Sequence, residues 1–139
     1  MKLVTRNFLA FLAAVLILSM IIPTVAFAAD GEVTPLSVSS KASSLTVSGR
    51  TLTIKAYTQS YILEDVISVT STLQMKNGSS WADVYTWPTV TAYNTLDVSL
   101  SKTYTGTSGK TYRVKSTHYT KSGSTTDTET SYSSEVTVS

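Results

Sequence analysis

The sequence predicts an all-β protein, an antiparallel sandwich of two sheets and about seven strands that follows the helix of a signal peptide. Apolar and polar residues alternate with period two in short runs, which is typical of strands with one buried face. Turn signals rich in Gly, Asn and Ser separate these runs about every ten residues. After residue 28, no stretch has the three-and-four apolar spacing of a long helix.

The first 28 residues are typical of a secretory leader. Lys2 and Arg6 precede an apolar run over residues 8–22, and Ala26-Phe27-Ala28 supplies the small residues that signal peptidase recognises. We therefore expect cleavage after Ala28 and a secreted, extracellular protein, with a Gram-positive bacterium as its source. An uncleaved anchor is the alternative, because residues 8–29 are just long enough to cross a bilayer. With cleavage, the protein meets the membrane only through the transient leader.

Composition limits the function of the remaining chain. Without Lys2 and Arg6, nine of the 11 basic residues remain against nine acidic ones, so no charge excess favours nucleic acid. The absence of cysteine excludes disulfides, thiolate metal sites and a cysteine nucleophile. The length suits one domain. We divide the chain into a signal peptide (1–28), a polar lead-in (29–43) that is extended or loose, and a β-sandwich domain (44–139).

The first three strands follow from alternation. Leu45 and Val47 predict a brief first strand, and residues 51–56 predict a second that carries Leu52, Ile54 and Ala56 on one face. Glu64 and Asp65 indicate a loop before strand three. The predicted inward residues of strand three are Ile67, Val69, Ser71, Leu73 and Met75. Its predicted outward residues are Ser68, Thr70, Thr72 and Gln74.

The remaining strands are separated by clear turns. Asn77-Gly78-Ser79-Ser80 is the strongest hairpin signal, because Asn and Gly accept positive φ angles. Strand four spans residues 81–87 and ends before Pro88, residues 89–94 form a connection, and strand five points Leu96, Val98 and Leu100 inward. Residues 106–109 and 121–124 are further turns. Strand six, residues 111–120, points Tyr112, Val114, Ser116 and His118 inward, and strand seven does so with Tyr132, Ser134, Val136 and Val138.

Two resemblances follow from these runs. Leu100, the turn at residues 106–109 and Tyr112-Arg113-Val114-Lys115-Ser116, followed by the Gly123 turn, resemble the last strands of a fibronectin type III domain. This resemblance implies an immunoglobulin-like sandwich in which strands three and six are neighbours. The whole mature chain, with Asn77-Gly-Ser-Ser-Trp81 at its centre, also resembles small secreted proteins of Gram-positive bacteria, which implies a compartment and no function.

Candidates for catalysis and metal binding are few. His118 is the only histidine, no Gly-x-Ser-x-Gly motif accompanies it, and we place it near the rim of the sandwich as a structural residue. Asp127 and Glu129 share one strand face and could hold a hard cation, yet no calcium-loop motif surrounds them. We therefore predict no catalytic residue, no metal and no cofactor.

Aromatic and basic residues give the candidate binding surface. Alternation places Trp81, Tyr85 and Trp87 on one face of strand four, where they form either a platform for sugar rings or part of the core. Outward residues of strand six add a basic and aromatic patch beside the hydroxyls of strand three. The predicted ligand-binding surface comprises Tyr85, Trp87, Arg113, Lys115 and Tyr119.

These observations favour a non-catalytic protein that binds a partner outside the cell. The expected partner is a cell-wall polymer, a glycan or another protein, recognised through strand faces and loops. Two alternatives remain open: a secreted effector of the bacteriocin or toxin type, and a small extracellular hydrolase. The hydrolase would need a deep pocket that contains His118 beside a carboxylate.

Overall fold

The computed structural model describes residues 37–139, and the predicted signal peptide lies outside them. In this part of the chain the regular structure is entirely β, so it holds no helix that could cross a membrane. The nine strands are β1 (Val38–Ser48), β2 (Thr51–Glu64), β3 (Val66–Asn77), β4 (Ser80–Thr86), β5 (Val90–Ala92), β6 (Thr95–Thr105), β7 (Thr111–Ser122), β8 (Thr125–Tyr132) and β9 (Val136–Thr137).

The strands form two antiparallel sheets. One sheet has the order β1-β2-β6; the other has the order β4-β3-β7-β8, with β5 added to β3 and β9 to β7. This confirms the prediction of an all-β protein with two antiparallel sheets. Seven strands are long; β5 and β9 are two short additions, one of them within the predicted connection.

The core lies where the two sheets face each other. Alternate residues of β2, β3, β6 and β7 turn inward, so that each strand contributes apolar side chains to one shared layer. Its members are Leu45, Leu52, Ile54, Ala56, Ile67, Val69, Leu73, Trp87, Val98, Leu100, Tyr112, Val114 and Val138. Packing is tight at Gly106, where a Cβ atom would lie 2.7 Å from Cγ2 of Val138.

The strongest predicted hairpin is confirmed. Asn77 pairs with Ser80, so Gly78 and Ser79 alone connect β3 to β4. Gly78 has a φ of 62°, and Ser80 Oγ donates to the Asn77 carbonyl at 2.9 Å. A positive φ at the first central residue is typical of a type II′ turn, whose twist matches that of the flanking strands.

Two strand boundaries differ from the prediction. The first strand begins at Val38, within the predicted lead-in, because its polar residues find partners across the sandwich: Ser43 Oγ bonds to Ser116 and Ser131. The second strand continues to Glu64, which is fully buried and accepts a bond from Ser60 at 2.6 Å. The predicted loop at Glu64 is therefore wrong, and only Asp65 separates β2 from β3.

Candidate functional site

The outer face of the six-stranded sheet brings together three of the five predicted site residues. Arg113, Lys115 and Tyr119 lie on one side of β7, each half-buried, with the predicted neighbour β3 paired alongside. The Cα partners of Arg113 and Lys115 on β3 are Gln74 and Thr72. We call this surface the basic-aromatic face; it comprises Gln74, Trp81, Arg113, Lys115, Tyr119 and Tyr132.

Arg113 is held between two aromatic rings on this face. Its guanidinium carbon lies 4.3 Å from the ring centroid of Trp81 on β4 and 4.6 Å from that of Tyr132 on β8. Cations are attracted to the negative faces of aromatic rings, and planar guanidinium groups stack on them well. Side chains from β4 and β8 therefore position the guanidinium group of Arg113 on β7.

Hydrogen bonds fix the orientation of this guanidinium. Arg113 Nε donates to Gln74 Oε1 at 2.8 Å, and Gln74 Nε2 donates to Asp83 Oδ1 at 2.7 Å. Gln74 is thus buried although it was predicted to be exposed. Among the described residues, none accepts a hydrogen bond from the two Nη groups of Arg113. These groups remain able to bind an external acceptor.

Hydroxyl groups cover the middle of the face. Thr72 bonds to Thr86 at 2.9 Å, and Thr70 bonds to Thr89 at 2.6 Å. Lys115 stands beside Thr72, between this row and Tyr132. The face therefore offers positive charge, hydroxyls and an aromatic ring at close range.

Trp87 and Tyr85 do not belong to this surface. A register shift in the pairing of β3 with β4 places Tyr85 opposite the inward Leu73, whereas Asp83 lies opposite the outward Gln74. Such a bulge reverses the face on which the following residues lie. Trp87 is only 7% exposed, in the core, and packs edge-to-face on Tyr85 with centroids 5.1 Å apart. The assignment of Trp87 to the binding surface is wrong.

Sequence reasoning missed both rings that hold Arg113. Trp81 was assigned to the same face as Trp87, which the bulge contradicts. Tyr132 was predicted to point inward; it pairs with the outward Lys115 and is 51% exposed. Residues 133–135 separate β8 from β9, so the predicted seventh strand is not continuous. Tyr132 therefore does not share a face with Val136 and Val138, as simple alternation had predicted. The one available signal was the alternation of outward polar and aromatic residues, Arg113, Lys115 and Tyr119, on strand six.

His118 was predicted to lie near the rim of the sandwich, but it lies in the interior. It is fully buried within a row of hydrogen-bonded side chains that joins both sheets. Its Nδ1 lies 2.8 Å from Thr58 Oγ1, and its Nε2 lies 2.7 Å from Ser131 Oγ. The row continues from Ser131 at spacings of 2.6, 2.7 and 2.8 Å, in the order Ser43, Ser116 and Ser71.

The row has one direction. Ser43 donates its only hydroxyl proton to Ser116, so Ser131 must donate to Ser43. His118 Nε2–H then donates to Ser131, and in the neutral ring Nδ1 accepts from Thr58 Oγ1 at 2.8 Å, so the Thr58 proton favours the imidazole over its longer contact with the Ser68 carbonyl at 3.3 Å. Burial lowers the pKa of His118 to about 4, with Lys41 acting in the same direction and Glu129 opposing it. The imidazole is therefore neutral at physiological pH.

Asp127 and Glu129, the two candidate cation ligands, both have partners within the protein. Glu129 forms an ion pair with Lys41 at 3.1 Å, and Asp127 accepts from the Val38 amide at 3.4 Å. Within residues 37–139, no group of three or more metal-ligating side chains is present. The arrangement at Asp127 and Glu129 joins β8 to β1.

The outer face of the three-stranded sheet differs in character. It carries Lys55 and Tyr57 among small Ser and Ala residues, beside a shallow depression of about 320 Å³. Tyr57 donates to or accepts from Ser40 at 3.0 Å, and no stacked cation is found among the described residues of this face.

Comparisons of the chain with protein-family models, with curated proteins and with solved structures found no match.

Proposed function

We propose that the protein is a secreted, non-catalytic β-sandwich that binds an anionic extracellular polymer, such as a phosphate- or carboxylate-bearing cell-wall polymer, through the basic-aromatic face. Arg113, held between Trp81 and Tyr132 with its Nη groups unbonded, carries this proposal. A planar guanidinium binds phosphate and carboxylate with two parallel hydrogen bonds. Because the side chain is already ordered, little conformational entropy is lost when a ligand binds.

The surroundings of Arg113 support a polymer made of sugars or polyols. Tyr132 exposes half of its surface, and aromatic rings offer an apolar face together with a polar hydroxyl. Threonine hydroxyls and Lys115 lie in the adjacent row, where a chain that crosses the strands would meet them. One acidic group of such a polymer would contact Arg113, and its next units would contact the hydroxyls.

The position of His118 supports a binding role over hydrolysis. A Ser-His pair performs nucleophilic catalysis only where substrate can reach the serine and the imidazole. Here the imidazole has no exposed surface, and both ring nitrogens are bonded within the sandwich. The buried row instead joins β1, β2, β3, β7 and β8.

The order of the long strands supports an immunoglobulin or fibronectin type III-like arrangement. The first, second and fifth long strands form one sheet, and the fourth, third, sixth and seventh form the other. This agrees with the resemblance drawn from Leu100 to Val138. Domains of this kind present strand faces to partners, although a fold by itself does not determine function.

Retention on immobilised polymer tests the proposal. Protein purified from the medium of a secreting host is passed over glycerol-phosphate wall polymer and over neutral dextran. We expect retention on the first only, with weakening by salt, because contacts between exposed charges are screened. Arg113→Lys should reduce affinity about tenfold, since an ammonium keeps the charge but loses the planar pair of donors.

Lys102→Gln is the matched control, because it removes one exposed positive charge from β6, away from the face. Its affinity should equal that of the wild type. Equal retention of the wild-type and Arg113→Lys proteins, or no retention on either polymer, would contradict the proposal. Thermal denaturation of each variant separates a loss of binding from a loss of folding.

A further inference from the structure

A second cation lies at the edge of the basic-aromatic face, close to Arg113. Lys76 Nζ lies 5.6 Å from the ring centroid of Trp81, the indole that the Arg113 guanidinium carbon approaches to 4.3 Å. Both distances end at the same centroid, so the two cationic groups are no farther apart than these distances together. One elongated ligand can therefore reach both charges.

The sheet register explains this proximity. Gln74 on β3 pairs with Arg113 on β7, and Lys76 pairs with Trp81 on β4. Residues two apart on a strand point to the same side, so Lys76 shares the outer face with Gln74. The hairpin turn at Gly78 follows directly, and the lysine thus lies at the end of the face.

In the free protein this second cation is held by an acidic side chain. Lys76 Nζ donates to Glu135 Oε2 at 3.0 Å. Tyr112 on β7 pairs with Met75 on β3 and with Val136 on β9, so these two strands flank β7 on opposite sides. The ion pair joins the residues next to Met75 and Val136, and it therefore crosses the outer face of β7.

The carboxylate of Glu135 places a negative charge beside the proposed polymer site. In the part of the chain that the structure describes, Glu135 forms its ion pair with Lys76 and none with Arg113. Asp83, the other carboxylate of this region, accepts a hydrogen bond from Gln74. An acidic polymer unit that approaches the guanidinium thus meets a lysine that already has a partner.

We propose that Glu135 competes with the polymer for Lys76, and that binding replaces the Glu135 carboxylate by an acidic group of the polymer. The inference rests on the proposed function, and it specifies the ligand further. The site takes two neighbouring acidic groups of one chain, the first on Arg113 and the second on Lys76. A glycerol-phosphate polymer has this character, because a single glycerol separates its successive phosphates.

The ion pair is suited to displacement. Its side chains are 43% and 49% exposed, and ion pairs this accessible to water contribute little to stability. Glu135 belongs to residues 133–135, which connect β8 to β9 outside the strand pairing. The carboxylate can therefore leave Lys76 without breaking a strand ladder. The Trp81 ring remains to attract the released ammonium.

Retention on glycerol-phosphate wall polymer, measured with protein from the secreting host, tests the competition. Glu135→Gln removes the competing charge, and we expect the affinity to rise about three- to fivefold. Glu129→Gln is the matched control, because it removes the carboxylate of the ion pair with Lys41, which joins β8 to β1 away from the face. Its affinity should equal that of the wild type.

A double-mutant cycle separates competition for Lys76 from simple repulsion of the polymer. Glu135→Gln should have little effect on affinity once Lys76→Gln has removed the contested cation. Repulsion alone would give the same gain in both backgrounds. That result overturns the inference, as does an unchanged affinity of the single variant Glu135→Gln. Thermal denaturation verifies that each variant is folded.

The same measurements distinguish this inference from the proposed function. Retention that weakens in Arg113→Lys but is unchanged in Glu135→Gln overturns the competition alone. Absence of retention for the wild type and for Glu135→Gln alike overturns both.

Discussion

The inward residues of β2 and β7 are equally buried at both ends of these strands but differ in chemistry from one end to the other. Towards the Gly106 end the inward residues are Leu52, Ile54, Tyr112 and Val114. Towards the β2–β3 connection at Asp65 they are Thr58, Ser60, Ser116, His118 and Thr120. Ile54 and His118 are both completely shielded from solvent. Burial alone therefore does not reveal what stabilises a region. On these two strands, the hydrophobic effect and dispersion dominate at one end, and directional hydrogen bonds dominate at the other, where the apolar neighbours Ile67 and Val69 come from β3.

The difference implies different responses to substitution. An apolar core loses stability in proportion to the volume removed, and it responds little to pH. A polar row loses stability when one member is left without a partner, and it responds to pH if a member titrates. The following changes test this contrast.

Truncation in the apolar region should have the largest effect. Leu73→Ala removes a fully buried side chain from the centre of β3. We expect the free energy of unfolding to fall by about 3 to 4 kcal/mol, from lost burial and the cavity that remains. Urea denaturation measures it, and Val47→Ala, at a partly exposed position, should cost less than about 1 kcal/mol. Equal losses at both positions would show that Leu73 is not a core residue.

Acid should weaken the polar region by nearly as much. The pKa of His118 is about 4 in the folded protein and 6.5 in the unfolded chain, so the unfolded chain binds the proton more readily between these values. The stabilisation is complete above pH 6.5 and is lost as pH falls towards 4, up to about 3 kcal/mol. Denaturation at several pH values measures this slope.

His118→Gln is the informative variant for that slope. Glutamine keeps a donor and an acceptor but does not titrate, so the decrease between pH 6.5 and 4 should largely disappear. Leu73→Ala should keep the slope, since it leaves the imidazole in place. A slope that persists in the glutamine variant would mean that another group controls the acid response.

Lys41 should give the smallest effect at neutral pH. Its ammonium lowers the pKa of His118 and pairs with Glu129, and both side chains of the pair are about one-third exposed. Lys41→Gln should reduce the free energy of unfolding by less than about 1 kcal/mol at pH 7. Because the pKa of His118 then rises towards its value in the unfolded chain, the loss of stability between pH 6.5 and 4 should become smaller. Lys102→Gln should leave the pH profile unchanged. An unaltered profile in Lys41→Gln would exclude this through-space coupling.

Alternation and turn chemistry predicted most of the fold. The Asn77-Gly78 hairpin and the inward Leu52 and Ile54 depend on local pattern, whereas the pairing of β3 with β7 was expected only from the resemblance to fibronectin type III domains. The pattern failed where the strand period changed. The bulge opposite Leu73 separated Trp81 from Trp87, and the interruption at residues 133–135 put Tyr132 on the outer face.

The polar interior could not be predicted for a different reason. Serine and threonine are common on exposed strand faces, and their burial becomes acceptable only when partners from distant strands are aligned with them. Ser43 and Ser116 are 73 residues apart, and Thr58 and His118 are 60 apart. No local pattern carries that information, so β1 was predicted too short and His118 was placed at the rim.

The one-way row of hydroxyls has a spectroscopic consequence. Ser71, Ser116 and His118 are fully buried, whereas Ser43 and Ser131 lie partly exposed on the edge strands β1 and β8. Replacement of the His118 Nε2 hydrogen by deuterium therefore requires the hydrogen bond to Ser131 to open at that edge. The imidazole resonance in heavy water would then record how often the β1–β8 edge of the sandwich opens.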